Sequence, residues 1–225
     1  MTTEAAPFDY SHVSHSGRPF VQRASRRTLV FAFRLLVRLE MRGVENLPAT
    51  GGFILAANHL HALDPAIGLL LVPRRVVGVV KEKWDRPPFR WILQGMSDVV
   101  FVGGSHRRPL DAALSELRGG AVVAILPEGT RSRTGTMAAG QRGVGLLAAR
   151  AQVPVVPAGA FGQEAAGRFW RKGRRVPVRV SIGAALAPPR PGAGKLELES
   201  YTEEVMLAIA GLIPESYRGV YGRRC

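Results

Sequence analysis

The sequence predicts an α/β fold: a single domain with a largely parallel central sheet flanked by helices, preceded by an N-terminal amphipathic helical arm. Three observations carry that expectation. Short apolar runs alternate with helix-length segments between Gly52 and Gly211, the order of βαβ units. At 225 residues the chain is long enough for one full core and cramped for two domains. It contains no internal repeats, which excludes stacked-repeat architectures.

Residues 1–18 are polar and aperiodic and are expected to form a mobile arm. From Pro19 to about Met41 the pattern turns helical. Val21, Leu29, Phe33, Leu36 and Val37 can share a face, while Arg23, Arg26, Arg27, Arg34 and Arg38 supply charge. A basic amphipathic helix of this kind suits the headgroup layer of an acidic membrane, or a core-packing helix with solvated arginines. The main domain then spans 42–211, with 212–225 as a C-terminal tail. Its expected strands are Gly52–Ala57, Val76–Lys81, Asp98–Val102, Ala121–Leu126, Val153–Ala158 and Val176–Ile182. Its expected helices are Pro65–Leu71, Pro87–Met96, Pro109–Leu117, Gly140–Ala151 and Leu198–Gly211.

Charge narrows the partners. Lys plus Arg number 31 against 17 Asp plus Glu, a formal net charge of +14. Such an excess implies an anionic partner: nucleic acid, an acidic membrane surface or a phosphorylated substrate. No recognised nucleic-acid-binding motif is present, and arginines flanking apolar stripes favour lipid, so no nucleic acid is expected. Cys225 is the only cysteine, which excludes an intrachain disulfide and a thiolate metal cluster. No stretch supplies the roughly 20 unbroken apolar residues of a membrane span. Ser25-Arg26-Arg27-Thr28-Leu29 resembles a twin-arginine export signal, but Arg34 interrupts the apolar run after it. The expected location is peripheral, on the cytoplasmic face of a membrane.

Two segments carry chemistry. Asn58-His59-Leu60-His61-Ala62-Leu63-Asp64-Pro65 follows an apolar strand and sets a histidine and a carboxylate close together in a turn. The acid can accept a hydrogen bond from one ring nitrogen, fix the tautomer and leave the other nitrogen to take a proton. Asp64-Pro65 also reads as a plain helix-opening pair. The second segment, Leu126-Pro127-Glu128-Gly129-Thr130-Arg131-Ser132-Arg133, also follows a strand and would emerge at a sheet edge. Gly129 permits close backbone approach, Thr130 and Ser132 offer hydroxyls, and Arg131 offers a planar fork matched to phosphate. Glu128 fits there if it orients an arginine or receives a substrate hydroxyl.

With Val153-Pro154-Val155-Val156-Pro157-Ala158 behind them, these blocks stand in an order that resembles the glycerolipid acyltransferase family, in its lysophosphatidate (1-acylglycerol-3-phosphate) acyltransferase branch. The resemblance covers roughly Arg42 to Gly183. It implies transfer of a fatty acyl group from a thioester, acyl-CoA or acyl carrier protein, to the free hydroxyl of a lysophospholipid, with no cofactor and no metal. It implies His59 as general base, Asp64 as its orienter, and Glu128, Gly129 and Arg131 as contacts to the acceptor phosphate. Thr130 and Asn58 join them as expected substrate contacts. Three departures bear on the acceptor. His61 stands where the family's first block often has a serine, either as a second acceptor contact or as a surface residue. Gly103-Gly104 stands where the family's second block ends in an arginine, so His106, Arg107 or Arg108 would have to reach in. Arg142 stands where the family has a lysine. The missing arginine keeps open another lysophospholipid or a glycolipid hydroxyl as acceptor.

Overall fold

The computed structural model describes residues 19–72, 74–84, 86–87, 98–102 and 109–222. Helix α1 (Pro19–Leu36) leads into strand β1 (Val37–Arg42). There follow β2 (Phe53–Ala57), α2 (Asp64–Leu71), β3 (Val76–Lys81), β4 (Asp98–Val102) and α3 (Pro109–Arg118). The second half holds β5 (Val122–Ile125), α4 (Gly143–Ala151), β6 (Val155–Phe161), α5 (Ala166–Trp170), β7 (Val176–Ile182) and α6 (Lys195–Gly211).

The strands form one seven-stranded sheet in the order β1-β7-β6-β2-β5-β3-β4. Every neighbouring pair is parallel except β6 with β7, which is antiparallel. Residues along β2 alternate between two cores, as a two-residue period requires. Ile54 and Ala56 pack with α3, α4 and α6, whereas Phe53 and Leu55 pack with residues of α1, α2 and α5. Burial on both faces explains why β2 reads as continuous apolar sequence. Each of Phe53, Ile54 and Leu55 is fully buried, worth about 1.5–3 kcal/mol apiece. The arrangement is a three-layer α/β/α domain with β2 at its centre.

The expected α/β class stands, with corrections at the N-terminal helix and at the C-terminal tail. It ends at Leu36 instead of continuing to Met41, and Val37–Arg42 is an edge strand in register with β7 from Val37↔Val176 to Arg42↔Ser181. The reason lies in Val37-Arg38-Leu39-Glu40-Met41-Arg42, which alternates apolar and charged residues with the period of a strand. The sheet therefore begins at residue 37, ahead of the boundary expected at 42. The shared face proposed for the helix also divides: Phe33 and Val37 are buried, while Leu36 is exposed. The expected C-terminal tail is part of the fold as far as Gly222, for Ile213 and Tyr221 are both core residues. The expected arm at 1–18 and most of the helix expected at Pro87–Met96 lie outside the described residues.

Candidate active site

Parallel strands deliver their following loops to one edge of the sheet, and β2 and β5 are hydrogen-bonded neighbours. The loop after β2 (residues 58–63) and the loop after β5 (residues 126–142) therefore emerge side by side. They are tied directly: the Ser132 amide donates to the His59 carbonyl at 2.8 Å.

Asn58 ends β2. It is fully buried, and its side-chain amide donates to the Ala160 carbonyl and accepts from the Ala160 amide, both at 2.8 Å. The side chain thus extends the pairing of β2 with β6 by one rung and fixes where the next residue leaves the sheet. That residue is His59. Its Nδ1 lies 2.9 Å from Asp64 Oδ2, with the ring side chain 17% exposed and the carboxylate 3%. An ionised carboxylate only accepts, so opposite one, Nδ1 carries the proton, and a neutral ring then keeps a lone pair on Nε2. Nε2 has no hydrogen-bond partner among the described residues.

Asp64 is held from three sides. Its Oδ2 also accepts the His61 amide at 2.8 Å, and its Oδ1 accepts from Gln163 Nε2 at 3.0 Å. Its position at the start of α2, with Pro65 behind it, places a negative charge at the positive end of that helix. The ring of His61 turns inward to its own loop, where its Nδ1 accepts the Leu63 amide at 3.3 Å.

Glu128 occupies a different place from the one its motif suggests. It is 2% exposed, and both carboxylate oxygens are engaged by backbone: Oε1 by the His59 amide at 2.7 Å and Oε2 by the Ala138 amide at 2.8 Å. Burial pushes its carboxyl above the ordinary value, and these two amide donors oppose the rise. The side chain joins the two loops, with one backbone donor on each oxygen. Gly129 closes the turn, with its amide donating to the Leu126 carbonyl at 2.9 Å and φ at 66°. A Cβ there would lie 2.5 Å from the Gln141 side chain, which donates to the Glu128 carbonyl. The left-handed φ is the demand that favours glycine here, since the exposed Gln141 side chain can swing aside.

Beyond Gly129 the loop opens outward. Thr130, Arg131 and Arg133 are exposed, and Arg131 has no hydrogen-bond partner among the described residues. Ser132 Oγ accepts the amides of Thr134 and Thr136 at 3.3 and 3.1 Å, which rounds the loop behind Arg131. Arg142 instead faces Glu199 of α6 at 3.7 Å. Arg107 and Arg108 lie outside the described residues. Sequence reading missed Gln163, although a buried amide just past the end of β6 sits at the same sheet edge as the two motifs. Among the described residues no group of three potential ligand side chains is placed to hold a metal ion.

Fold and site together define an α/β protein with a histidine beside an acid at the carboxyl edge of its sheet, on a loop bonded to the one that carries the exposed Arg131. The Acyltransferase family model matches residues 38–160, more than half of the chain, and the chain belongs to that family. The chain is similar to the 1-acyl-sn-glycerol-3-phosphate acyltransferase of Pseudomonas aeruginosa, 27% identical over 187 residues, with 77% of this chain and 71% of that protein covered. It is 28% identical over 126 residues to the mouse (Mus musculus) 1-acyl-sn-glycerol-3-phosphate acyltransferase alpha, covering 54% of this chain but only 44% of the relative's length. Among solved structures, the 1-acyl-sn-glycerophosphate (LPA) acyltransferase PlsC of Thermotoga maritima superposes with a TM-score of 0.66 at 27% identity. That match covers 86% of this chain and 79% of the other.

Proposed function

We propose that this protein is an O-acyltransferase that moves a fatty acyl group from an acyl thioester to the free hydroxyl of 1-acylglycerol-3-phosphate. The observation that carries the reading is the His59–Asp64 pair at 2.9 Å, its second ring nitrogen without a partner among the described residues, on a loop bonded to the one that presents Arg131. In this reading His59 Nε2 takes the proton of the acceptor hydroxyl as its oxygen attacks the thioester carbonyl carbon. The tetrahedral species collapses, the C–S bond breaks, and the departing thiolate takes the proton from the imidazolium. A positioned base of this kind contributes about 10²–10⁴-fold. Arg131 would bind the acceptor phosphate, and holding both reactants in place adds an orientational gain. A thioester is already activated, so no acyl-enzyme intermediate is needed.

The reading includes a docking face on an acidic membrane. Phe31, Leu35 and Leu36 are exposed on α1, and Trp170 of α5 donates its indole N–H to the Leu36 carbonyl at 2.9 Å, which joins the two helices. Arg168 and Arg174 lie 5.7 and 5.8 Å from the Phe169 ring, and Arg171, Lys172 and Arg175 are exposed beside them. Apolar side chains rimmed by cations fit an anionic leaflet, where each Lys or Arg near the surface adds about 1 kcal/mol. Among the described residues no helix is long and apolar enough to cross a membrane.

A second acceptor class, another lysophospholipid or a glycolipid hydroxyl, is favoured by Gly103-Gly104 at the position where the family's second block carries arginine. Thiol release from acyl-CoA, or from acyl carrier protein, with lysophosphatidate against a panel of other lysolipids tests both readings. Turnover with lysophosphatidate that disappears in His59→Ala supports the first. Turnover confined to another acceptor replaces it with the second, and no turnover with any of them rejects both.

A further inference from the structure

Gln163 is fully buried, and its polar atoms are treated unequally. Its Nε2 donates to Asp64 Oδ1 at 3.0 Å and to the Ala160 carbonyl at 3.3 Å, while its Oε1 has no partner among the described residues. An orphaned buried acceptor costs stability, so an unbranched apolar side chain would suit this position better if packing were the only demand. What the amide supplies is an N–H aimed at the one oxygen of Asp64 that neither His59 nor His61 uses. Backbone geometry directs it there. Gly162 has φ at 99°, and a Cβ on it would lie 2.3 Å from the Pro177 carbonyl, so the chain turns tightly against β7 and projects the next side chain inward.

We infer that Gln163 is a positioning residue for the His59 base. With donors on both oxygens, the Asp64 carboxylate cannot rotate about its Cβ–Cγ bond without breaking one, and its Oδ2 stays aimed at His59 Nδ1. The imidazole is thereby kept in the tautomer with Nε2 free. Gln163 touches no substrate in this scheme; it acts through Asp64, and its kinetic meaning rests on the proposed acyl transfer.

Two variants test it. Gln163→Met keeps length and removes the donor. Its kcat is expected to fall about 10–100-fold, less than loss of the base itself, with KM for both substrates within about threefold and a lowered melting temperature, because Asp64 Oδ1 loses its donor. Gln163→Glu places a second carboxyl against Asp64. The two then share a proton, and the acid limb of the kcat/KM profile moves to higher pH. A substrate-free readout separates this inference from the proposed reaction: ¹⁵N–¹H correlation of the His59 ring in the full chain is expected to show the Nδ1–H tautomer in the wild type and a mixture in Gln163→Met. Wild-type kcat in Gln163→Met, an unmoved acid limb in Gln163→Glu, or a single unchanged tautomer in the Met variant would each overturn the inference. If the wild type transfers no acyl group, the reaction assignment falls, and the tautomer measurement still decides this point. If Gln163→Met does not fold, the Gln163→Glu profile decides it.

Discussion

Glu128 holds His59 by its backbone, not by its ring: Oε1 accepts the His59 amide at 2.7 Å, across two loops far apart in the chain. The other oxygen takes the Ala138 amide. The loop that bears the histidine is thus anchored by a carboxylate, which leaves the ring to be oriented by Asp64 alone. Replacing Glu128 with Gln preserves shape but turns one acceptor into an N–H₂ facing an N–H. A buried donor left without an acceptor costs about 1–3 kcal/mol. Glu128→Gln is therefore expected to lower unfolding free energy by that amount in urea titration. Amide exchange at His59 and Ala138 should rise more than elsewhere; uniform exchange across the domain would remove the anchoring role.

Asp64→Asn probes the ring itself. The carboxylate accepts from His59 Nδ1, the His61 amide and Gln163 Nε2. An amide cannot satisfy all three, and with its N–H₂ toward the ring it favours the tautomer with the proton on Nε2. A base blocked in that way loses up to about 10⁴-fold in kcat. KM should change little, because the phosphate contact assigned to Arg131 is untouched. A KM effect larger than the kcat effect would argue against the assigned roles.

How far the site could be read in advance follows from the range of its interactions. His59 and Asp64 lie on one short loop after one strand, so their pairing is local and visible in the spacing. The convergence with the Glu128 loop was legible only as block order, because adjacency of β2 and β5 is a property of the sheet. The two hydrogen bonds of Glu128 were not legible: both donors are backbone amides, which leave no mark in sequence, so the acid was read as facing the acceptor. Gln163 was missed for a similar reason, since its partner Asp64 is on a different strand's loop. The end of α1 is ambiguous in sequence because Val37 continues a helical stripe and also opens the two-residue alternation of β1. Pairing with β7 decides between the two periods.

The segment after α6 reaches both arms of the site. The Met137 amide donates to the Tyr217 carbonyl at 2.8 Å, next to the residue that Glu128 holds, while Tyr217 Oη donates to Glu164 Oε1 at 2.7 Å, next to Gln163. Burial, with Glu164 beside it, pushes the Tyr217 phenol up to about 12 from its ordinary 10.0. A raised folded-state value means that the folded protein binds more protons than the unfolded chain between pH 10 and 12. The stabilisation is fully present below pH 10 and is lost as pH rises through about 12. In Tyr217→Phe that slope is absent. The stability difference between wild type and variant should shrink across this window in urea titrations at stepped pH, and a constant difference would show that the phenol is not coupled to folding.

The exposed face of α1 makes a separate demand. Phe33 packs on the domain core, yet Phe31 and Leu35 stand 65% and 55% exposed on the opposite side. A helix that only covered the sheet would carry polar residues there. Burying one such side chain in an interface recovers part of the 1.5–3 kcal/mol available for full burial, roughly 1 kcal/mol each. Phe31→Ser with Leu35→Ser should then weaken co-sedimentation with anionic vesicles by about 10–100-fold, with acyl transfer to a micellar acceptor retained. Reversing the charge of Arg171 and Lys172 should act differently, abolishing the difference between anionic and neutral vesicles and flattening the salt dependence, because charge near a leaflet is screened within a Debye length. Vesicle binding that ignores both pairs of substitutions would place the membrane contact on some other surface.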